Sequence, residues 1–365
     1  MITGPRAEVN RATRIAVDAM GGDKGPPEVA RGVIEAARRS QAFFSLVGDP
    51  GVLQPELERL PAKPANIEIV PAAEVIAMCE PPAAAVRRKP DASIVVAARM
   101  VKDGKADALV TIGNTGAAMV VAHRIWGPIQ GVDRPAIAAP LPSLTGTVIL
   151  LDVGATVDCD PNNLYEFAIM GGAYAQAVLG VARPRVGLLS NGEEASKGNL
   201  LVKRTHALFR RLPENLSSFE FIGNVEGRDI FRGGVDVVVC DGFDGNVVLK
   251  TGEGVAEMVL RLIKAELGRH VWLKPFVVPL MPALRRLHRR IDYAERGGAP
   301  LLGVNGVCII GHGRSDAYAV TNACRVAELA IQHDLVQTIR QRICDQPLVP
   351  SKLSDDSSSE QKGRE

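Results

Sequence analysis

Residues 14–47 read RIAVD AMGGDKG PPEVARGVIEAARR SQA FFSLV, and this stretch decides the fold. A short apolar run at 15–18 ends in a glycine-rich turn, and residues 26–39 then place apolar side chains at helical spacing. A second apolar run follows at 43–47. A strand, a helix of more than ten residues and another strand in succession predict a βαβ unit with parallel strands.

The same alternation continues along the chain. Further strands are expected at 67–70, 108–112, 147–151, 186–189, 219–222, 235–239 and 307–310, and residues 135–151 predict two strands joined by a turn. Helices are expected at 53–60, 92–101, 115–126, 162–179, 198–211, 245–268 and 315–344. This order predicts a three-layer, doubly wound, mostly parallel α/β sheet. We expect a single α/β catalytic domain at 14–344, with a flexible N-terminus at 1–13 and a disordered tail at 345–365.

Charge, hydropathy and cysteine spacing argue against several classes of protein. The 365 residues carry 43 Lys and Arg against 41 Asp and Glu, a net charge of +2, so we expect no nucleic-acid partner. The first residues lack the apolar core of a secretion signal, and no uncharged stretch is suited to spanning a bilayer. The six cysteines form no CxxC pair, which favours free thiols and a cytoplasmic location.

Polar residues and glycines follow most of the predicted strands. Ligands bind at the carboxyl ends of parallel strands, so we expect these loops to gather along one rim of the sheet. The candidates are Asp18, Gly22, Asp23, Asn114, Thr115, Gly116, Asp152, Asn191, Glu193, Lys197, Asp241, Gly245, Asn246 and His312.

The residue types in these loops indicate anion binding. Asn, Thr and Gly at the start of a helix leave backbone N–H groups free for a phosphate, as expected at 114–116 and 245–246. Lys197 is the strongest catalytic candidate, although a solvated surface charge is the alternative; His312 is equally compatible with a structural role. The sequence contains no P-loop, HExxH or GxSxG motif, and no GxGxxG follows the first strand. We therefore expect no metal, no cofactor and no covalent intermediate.

Seven motifs occur in order: IAVDAMGGD at 15–23, GNTGA at 113–117, LDVGA at 151–155, SNGEE at 190–194, GNVEGRD at 223–229, CDGF at 240–243 and GAPLLG at 298–303. Together they resemble the PlsX family of phosphate acyltransferases over about 14–340. The resemblance implies transfer of an acyl group from acyl-[acyl-carrier protein] to inorganic phosphate. The acyl phosphate would then supply a membrane glycerol-3-phosphate acyltransferase in phospholipid synthesis. It also implies a homodimer and a fold related to phosphotransacetylases and isopropylmalate-type dehydrogenases.

That chemistry assigns provisional roles to the candidates. Lys197 and Asn191 would face the thioester oxyanion, and Asp152 and Asp241 would orient these groups; Lys197, Asn191 and Asp241 are the expected catalytic residues. The other strand-end candidates are expected to bind substrate. The sequence departs from the expected family pattern at Thr111–Ile112, at Asp244 and at Arg296. An extra carboxylate at Asp244 would repel a phosphate unless it points away.

Residues 269–290 read RHVWLKPFVVPLMPALRRLHRR, a basic and apolar stretch without an acid. We expect a protruding amphipathic arm at about 269–292. Such an arm suits the anionic inner face of the cell membrane, and it equally suits an acidic carrier protein or a second subunit.

Three rival functions remain at this point. A short-chain acyl-coenzyme A phosphotransacetylase would share the phosphate chemistry without needing the arm. A decarboxylating dehydrogenase would need a cofactor site and metal-binding aspartates, which the sequence does not offer. A non-catalytic membrane scaffold would leave the polar strand ends unexplained.

Overall fold

The computed structural model describes residues 12–59, 64–211, 218–269, 282–283 and 293–345. Eleven strands form one sheet in the order β3-β2-β1-β4-β11-β10-β5-β6-β9-β7-β8. Their bounds are β1 Arg14–Asp18, β2 Phe43–Gly48, β3 Ile67–Pro71, β4 Ala108–Thr111, β5 Ala136–Pro142, β6 Thr147–Leu151, β7 Arg185–Leu189, β8 Glu220–Val225, β9 Val237–Val239, β10 Ala299–Leu302 and β11 Val307–Ile310.

Helices cover both faces of this sheet. Their bounds are α1 Pro26–Arg39, α2 Pro50–Glu58, α3 Pro82–Arg88, α4 Ser93–Lys102, α5 Thr115–Val121, α6 Pro161–Leu179, α7 Leu200–Arg211, α8 Gly227–Arg232, α9 Gly242–Arg269, α10 Ala317–Gln332 and α11 Leu335–Asp345. Helix α5 continues into a π-helical turn at Ala122–Trp126, and a 3-10 turn at Tyr293–Arg296 precedes β10.

Two apolar cores separate the helices into two layers. Side chains of α1, α2, α6, α7, α10 and α11 pack on one face, which we call the α6 face. Side chains of α3, α4, α5 and α8 pack on the other, with Val248 and Leu249 of α9 against them; this is the α5 face. The predicted three-layer, mostly parallel architecture is confirmed.

Strand polarity reverses across the middle of the sheet. β10 is antiparallel to both β11 and β5, and β5 is antiparallel to β6. β6, β9, β7 and β8 are parallel to one another. Their carboxyl ends therefore lie at the edge opposite to the carboxyl ends of β1, β4 and β11. We call the edge at the ends of β1, β4 and β11 the first edge, and the other the second edge.

Several elements differ from the sequence prediction. β10 and the short helices α3 and α8 were not expected. The single helix predicted at 315–344 is wrong, because His333 ends α10 and Asp334 adopts a positive φ of 48° before α11 begins. Most of the predicted arm lies outside the described residues; Arg269 is described, is exposed and pairs with Glu266 at 3.0 Å.

Helix α9 is unusually long and largely exposed. Its 28 residues correspond to about 42 Å, whereas a five-residue strand spans only about 17 Å. It begins at the second edge and passes Phe231 at the level of Gly252. Beyond that point an apolar stripe is exposed to solvent, formed by Val255, Met258, Val259 and Leu262.

Candidate functional site

Three loops meet at the first edge, at residues 19–24, 111–116 and 311–315; we call them the first-edge site. The backbone N–H of Gly311 donates to the carbonyl oxygen of Thr111 at 2.7 Å. The N–H of Asp23 donates to the carbonyl oxygen of Gly313, also at 2.7 Å. A Cβ on Gly21 would lie 2.7 Å from the Cα of Gly113, so glycine is required for this close approach. These three loops therefore converge, as part of the predicted single rim.

The buried carboxylate of Asp18 supports this site through hydrogen bonds. Its carboxylate accepts hydrogen bonds from Ser93 Oγ at 2.6 Å and from Thr111 Oγ1 at 2.8 Å. The side chain is buried, with 3% exposed. Burial raises the pKa of Asp18, and the two hydroxyl hydrogen bonds offset part of that rise. Asp18 therefore positions the loops, whereas the sequence predicted that it binds substrate directly.

Asn114 caps α5 and fixes a neighbouring segment. Its Oδ1 accepts from the N–H of Ala117 at 3.0 Å, and its Nδ2 donates to the carbonyl oxygens of Ala77, Met78 and Glu80. The cap is a neutral amide, so it adds no negative charge to the helix start.

The backbone N–H groups of Thr115 and Gly116 make no hydrogen bond within the part of the chain that the structure describes. Thr115 is exposed and Gly116 is half-buried. Two open donors at a helix N-terminus attract an anion. The anion site predicted at 114–116 therefore stays a prediction, with the N–H groups of Thr115 and Gly116 as its open donors.

Two cations border the same loops. Arg314 follows Gly313 and is exposed, and Lys24 follows Asp23 and is also exposed. The N–H of Arg314 donates to Nδ1 of His312 at 3.2 Å, which orders this turn. Sequence analysis selected His312 and Asp23 but missed Arg314, although a basic residue directly after a strand-end glycine was a usable signal.

Asp152 organises the loop after β6 at the second edge. Its Oδ1 accepts from the N–H groups of Ile137, Gly154 and Ala155, and its Oδ2 accepts from Thr156 at 2.6 Å. The residue is completely buried. Burial raises the pKa of Asp152 and the four backbone donors oppose the rise. Its oxygens are occupied by backbone donors, so Asp152 builds the loop.

The start of α9 packs onto this loop. Asn246 Nδ2 donates to the carbonyl oxygen of Val153 at 2.8 Å. Asp241 Oδ1 accepts from the N–H groups of Phe243 and Asp244, so it caps the helix with a carboxylate. The pKa of Asp244 is raised by burial and then by the charge of Asp241. The Asp241 carboxylate already caps this helix N-terminus and would repel a phosphate. The structure therefore disfavours the phosphate site predicted at Gly245 and Asn246.

The loop at 190–198 follows β7 at the same edge. Asn191 Oδ1 accepts from the N–H of Gly198 at 2.9 Å, which leaves the amide NH₂ group available as a donor. Lys197 is exposed and makes no ion pair with any described residue. Beneath the loop, Nδ2 of Asn224 donates to the carbonyl oxygen of Glu194 at 2.9 Å.

Glu193 has an ionic partner. Arg228 lies 3.4 Å from Glu193 and 2.7 Å from Glu226. Glu193, Glu226 and Asp229 have metal-compatible spacing, but the Arg228 guanidinium lies among these carboxylates and offsets their charge. Glu193 is therefore engaged by a cation of its own chain.

The expectation of one rim is wrong. The antiparallel pairings of β10 and of the β5–β6 hairpin reverse strand polarity, so the predicted loops divide between the first edge and the second edge. Six strand spacings separate β4 from β7, which amounts to roughly 29 Å across the sheet. Lys197 and the α5 N-terminus of one chain therefore do not share a reacting centre.

Comparison with known proteins gives a consistent assignment. The family described as "Fatty acid synthesis protein" matches residues 13–338. The chain belongs to this family. A phosphate acyltransferase from Heliobacterium modesticaldum (strain ATCC 51547 / Ice1) is 51% identical over 331 residues, which are 90% of this chain and 97% of that protein. The resemblance to PlsX-type phosphate acyltransferases is thereby confirmed.

Solved structures of other proteins support the fold. The EutD phosphotransacetylase from Staphylococcus aureus superposes with a TM-score of 0.56 at 16% identity, covering 87% of this chain and 94% of that one. A protein from Salmonella typhimurium described as a 4-hydroxythreonine-4-phosphate dehydrogenase reaches 0.50 at 12% identity, covering 87% and 99%. Within the described ranges, no helix combines the length and apolarity needed to cross a membrane.

Proposed function

We propose that this protein transfers a fatty acyl group from acyl-carrier protein to inorganic phosphate, giving acyl phosphate for phospholipid synthesis. The observation that carries the proposal is the 51% identity to a phosphate acyltransferase along 90% of the chain. The first-edge site adds a physical reason, since it offers open backbone donors and a guanidinium to an anion.

The first edge suits phosphate better than the second. At the first edge the α5 cap is neutral, and Arg314 and Lys24 are exposed beside it. At the second edge Asp152, Asp241 and Asp244 surround the start of α9. A phosphate dianion is attracted by the open N–H groups and the two cations of the first edge, where Asp23 is the exposed carboxylate, and is repelled by the carboxylates around the start of α9. We therefore place inorganic phosphate against Thr115, Gly116 and Arg314.

The reaction needs no protein nucleophile. A phosphate oxygen attacks the thioester carbonyl carbon, the new C–O bond forms and the C–S bond breaks. The proton of the hydrogen phosphate neutralises the departing thiolate. Cationic and amide donors lower the barrier by stabilising the oxyanion, the role we propose for Lys197 and the Asn191 amide.

The separation of the two edges leads us to propose that a second copy of the chain takes part in the reaction. Lys197 lies roughly 29 Å across the sheet from the α5 N-terminus, far beyond the reach of a lysine side chain. We therefore propose a homodimer in which the 190–198 loop of one copy completes the first-edge site of the other. The exposed apolar stripe of α9 supports self-association.

A mixing experiment tests this arrangement. Lys197→Ala and Arg314→Ala are each expected to lose most acyl phosphate formation from palmitoyl-carrier protein and phosphate. When the two variants are co-expressed, a mixed dimer contains one site with both residues, so about a quarter of wild-type activity should return. Mixed dimers without activity would contradict the shared site. Normal turnover by either single variant would remove that residue from the mechanism.

The acyl donor can be tested separately. Wild-type enzyme is offered palmitoyl-carrier protein or acetyl-coenzyme A, with phosphate and no added metal. We expect acyl phosphate from the carrier-protein thioester. Turnover of acetyl-coenzyme A alone would instead favour the short-chain phosphotransacetylase alternative.

Membrane contact also belongs to this proposal. The basic sequence at 269–290 would hold the enzyme at the inner face of the cell membrane, where a glycerol-3-phosphate acyltransferase would receive the acyl phosphate. Co-sedimentation with vesicles containing anionic lipid should be lost when Arg285 and Arg286 are replaced by Glu. Retained binding to anionic vesicles by that variant would contradict the electrostatic attachment.

A further inference from the structure

A cavity of about 510 Å³ opens on the α6 face, between α6, α10 and the β5–β6 hairpin. Its floor includes Pro140 of β5 and Thr147 of β6, and the 3-10 turn at Tyr293–Arg296 borders it. The volume falls within the usual range for small-molecule sites, about 300–1,000 Å³. The lining reaches the first edge, because Tyr318 follows Arg314 by four residues, but the cavity opens on the α6 face, whereas α5 packs on the other face of the sheet.

Tyr174 supplies a buried polar group in this cavity. The residue is only 2% exposed, and its hydroxyl makes no hydrogen bond to any residue in the described ranges. A phenol hydroxyl without a protein partner at a cavity wall is available to a ligand as a hydrogen-bond donor. Burial raises the pKa of Tyr174, and the nearby charge of Arg325 counteracts part of the rise, so the phenol stays a neutral donor.

Two arginines give the cavity its charge. Arg325 of α10 lines it and forms no ion pair with a described residue. Arg296 also lines it and donates to Thr147 Oγ1. One carboxylate, Glu295, lies in the same lining and accepts from the Tyr318 hydroxyl at 2.7 Å. The described lining therefore holds two guanidinium groups and one carboxylate.

The rest of the lining is aliphatic. Val178 and Leu179 contribute from α6, and Val326 and Leu329 from α10. An apolar wall beside guanidinium groups and a phenol matches a molecule with a hydrocarbon chain and an anionic head. A small hydrophilic anion would leave the wall without contacts, and a neutral lipid would leave Arg325 unpaired.

We propose that this cavity binds a single-chain amphiphile with an anionic head group, either a carboxylate or a phosphate. The head group lies against Arg325, Arg296 and the Tyr174 hydroxyl, and the chain lies along Val178, Leu179 and Leu329. This binding site stands independently of the acyl transfer proposed above, although fatty acids and alkyl phosphates share its chemistry.

Calorimetric titration of the full-length protein tests the proposal with three probes: palmitate and hexadecyl phosphate below their micelle concentrations, and uncharged hexadecanol below its solubility limit. Arg325→Gln and Arg296→Gln should each weaken a charged probe about tenfold, and Tyr174→Phe should weaken it less. Hexadecanol should respond to neither arginine change. Arg204→Gln, an exposed arginine on α7, is the matched control and should change nothing.

A cavity-filling variant and a labelled probe locate the bound chain. Val178→Trp should remove saturable binding, and a diazirine-bearing hexadecyl phosphate should label α6 and α10 near residues 174–179 and 325–329. Preference for one charged probe would identify the head group and support the proposal.

The opposite results would overturn it: no saturable binding, or binding unaffected by Arg325→Gln and Val178→Trp. If hexadecyl phosphate binding is lost in Arg314→Ala but not in the cavity variants, the probe occupies the first-edge site. The proposed function would then stand while this second site fails.

Discussion

The backbone N–H of Asp23 donates a 2.7 Å hydrogen bond to the carbonyl oxygen of Gly313, which ties the loop after β1 to the loop after β11. Nearly the whole chain length separates these residues, yet the bond brings Arg314 to the loops around the α5 N-terminus. The exposed cations Lys24 and Arg314 at this site therefore come from segments near opposite ends of the sequence.

Replacing Arg314 by Gln should raise the KM for phosphate about tenfold or more, because a charge-assisted hydrogen bond to the anion is lost. The KM for the acyl donor should change much less. Steady-state kinetics with varied phosphate measures the effect, and Arg204→Gln serves as the control. An unchanged KM for phosphate would show that phosphate does not bind at the first edge.

Glu166 should make stability depend on pH. Burial raises its pKa to about 7, with Asp133 and Asp160 adding repulsion, against an ordinary value of 4.5. The native state thus holds this proton more tightly than the unfolded chain. Stability is fully retained below about pH 4.5 and falls as pH rises towards 7. At pH 8, Glu166→Gln should be more stable than wild type by about 1 kcal/mol, after allowance for solvent screening of a partly exposed group.

Thermal unfolding of both proteins between pH 5 and 8 measures this difference. The gap should widen with pH, while Glu257→Gln, an exposed position on α9, should show no such trend. A gap that is constant across this range would contradict the assigned protonation.

Two glycines of α9 should respond oppositely to alanine. A Cβ at Gly245 would overlap the carbonyl oxygen of Asp152, so Gly245→Ala should destabilise the protein by about 3 kcal/mol. At Gly254 nothing lies within 4 Å of the new Cβ, and alanine favours the helix, so Gly254→Ala should stabilise by up to about 1 kcal/mol. Chemical denaturation compares them; equal effects would refute the proposed packing of α9 on the loop after β6.

Ser93→Ala should weaken the support beneath the first-edge site. It removes the 2.6 Å donor to the buried carboxylate of Asp18, and a loss of about 1–3 kcal/mol is expected. Denaturant unfolding measures the loss, and the exposed Ser196→Ala is the control. Unchanged stability would show that Asp18 does not depend on this hydroxyl.

The local spacing of apolar residues, glycines and prolines predicted much of the fold. The first strand and helix, expected at 15–18 and 26–39, occur at Arg14–Asp18 and Pro26–Arg39. Their boundaries follow from a glycine-rich turn and from prolines at the helix start, which act within a few residues. Clustering at the first edge was also predictable, because β1, β4 and β11 are parallel neighbours.

Strand polarity was not predictable in the same way. An apolar run looks the same in either direction, so nothing in 299–302 indicated that β10 would run antiparallel between β11 and β5. That reversal placed Lys197 and Asn191 at the far edge. The sequence correctly placed Asp18 and Asp152 in loops at strand ends. It did not reveal that Asp18 is buried against Ser93, or that Asp152 is buried against the backbone of Ile137, because these partners are distant in sequence.

The place of β11 in the sheet also constrains folding during synthesis. β11 pairs with β4, although about 195 residues separate Thr111 from Val307. At a ribosomal rate of about 5–20 residues per second, the edge of β4 that pairs with β11 stays unpaired for roughly 10–40 s. During that interval the nascent chain carries an unpaired apolar strand edge, which is a template for aggregation. Chaperone demand should therefore be concentrated in the time before the last strand emerges from the exit tunnel.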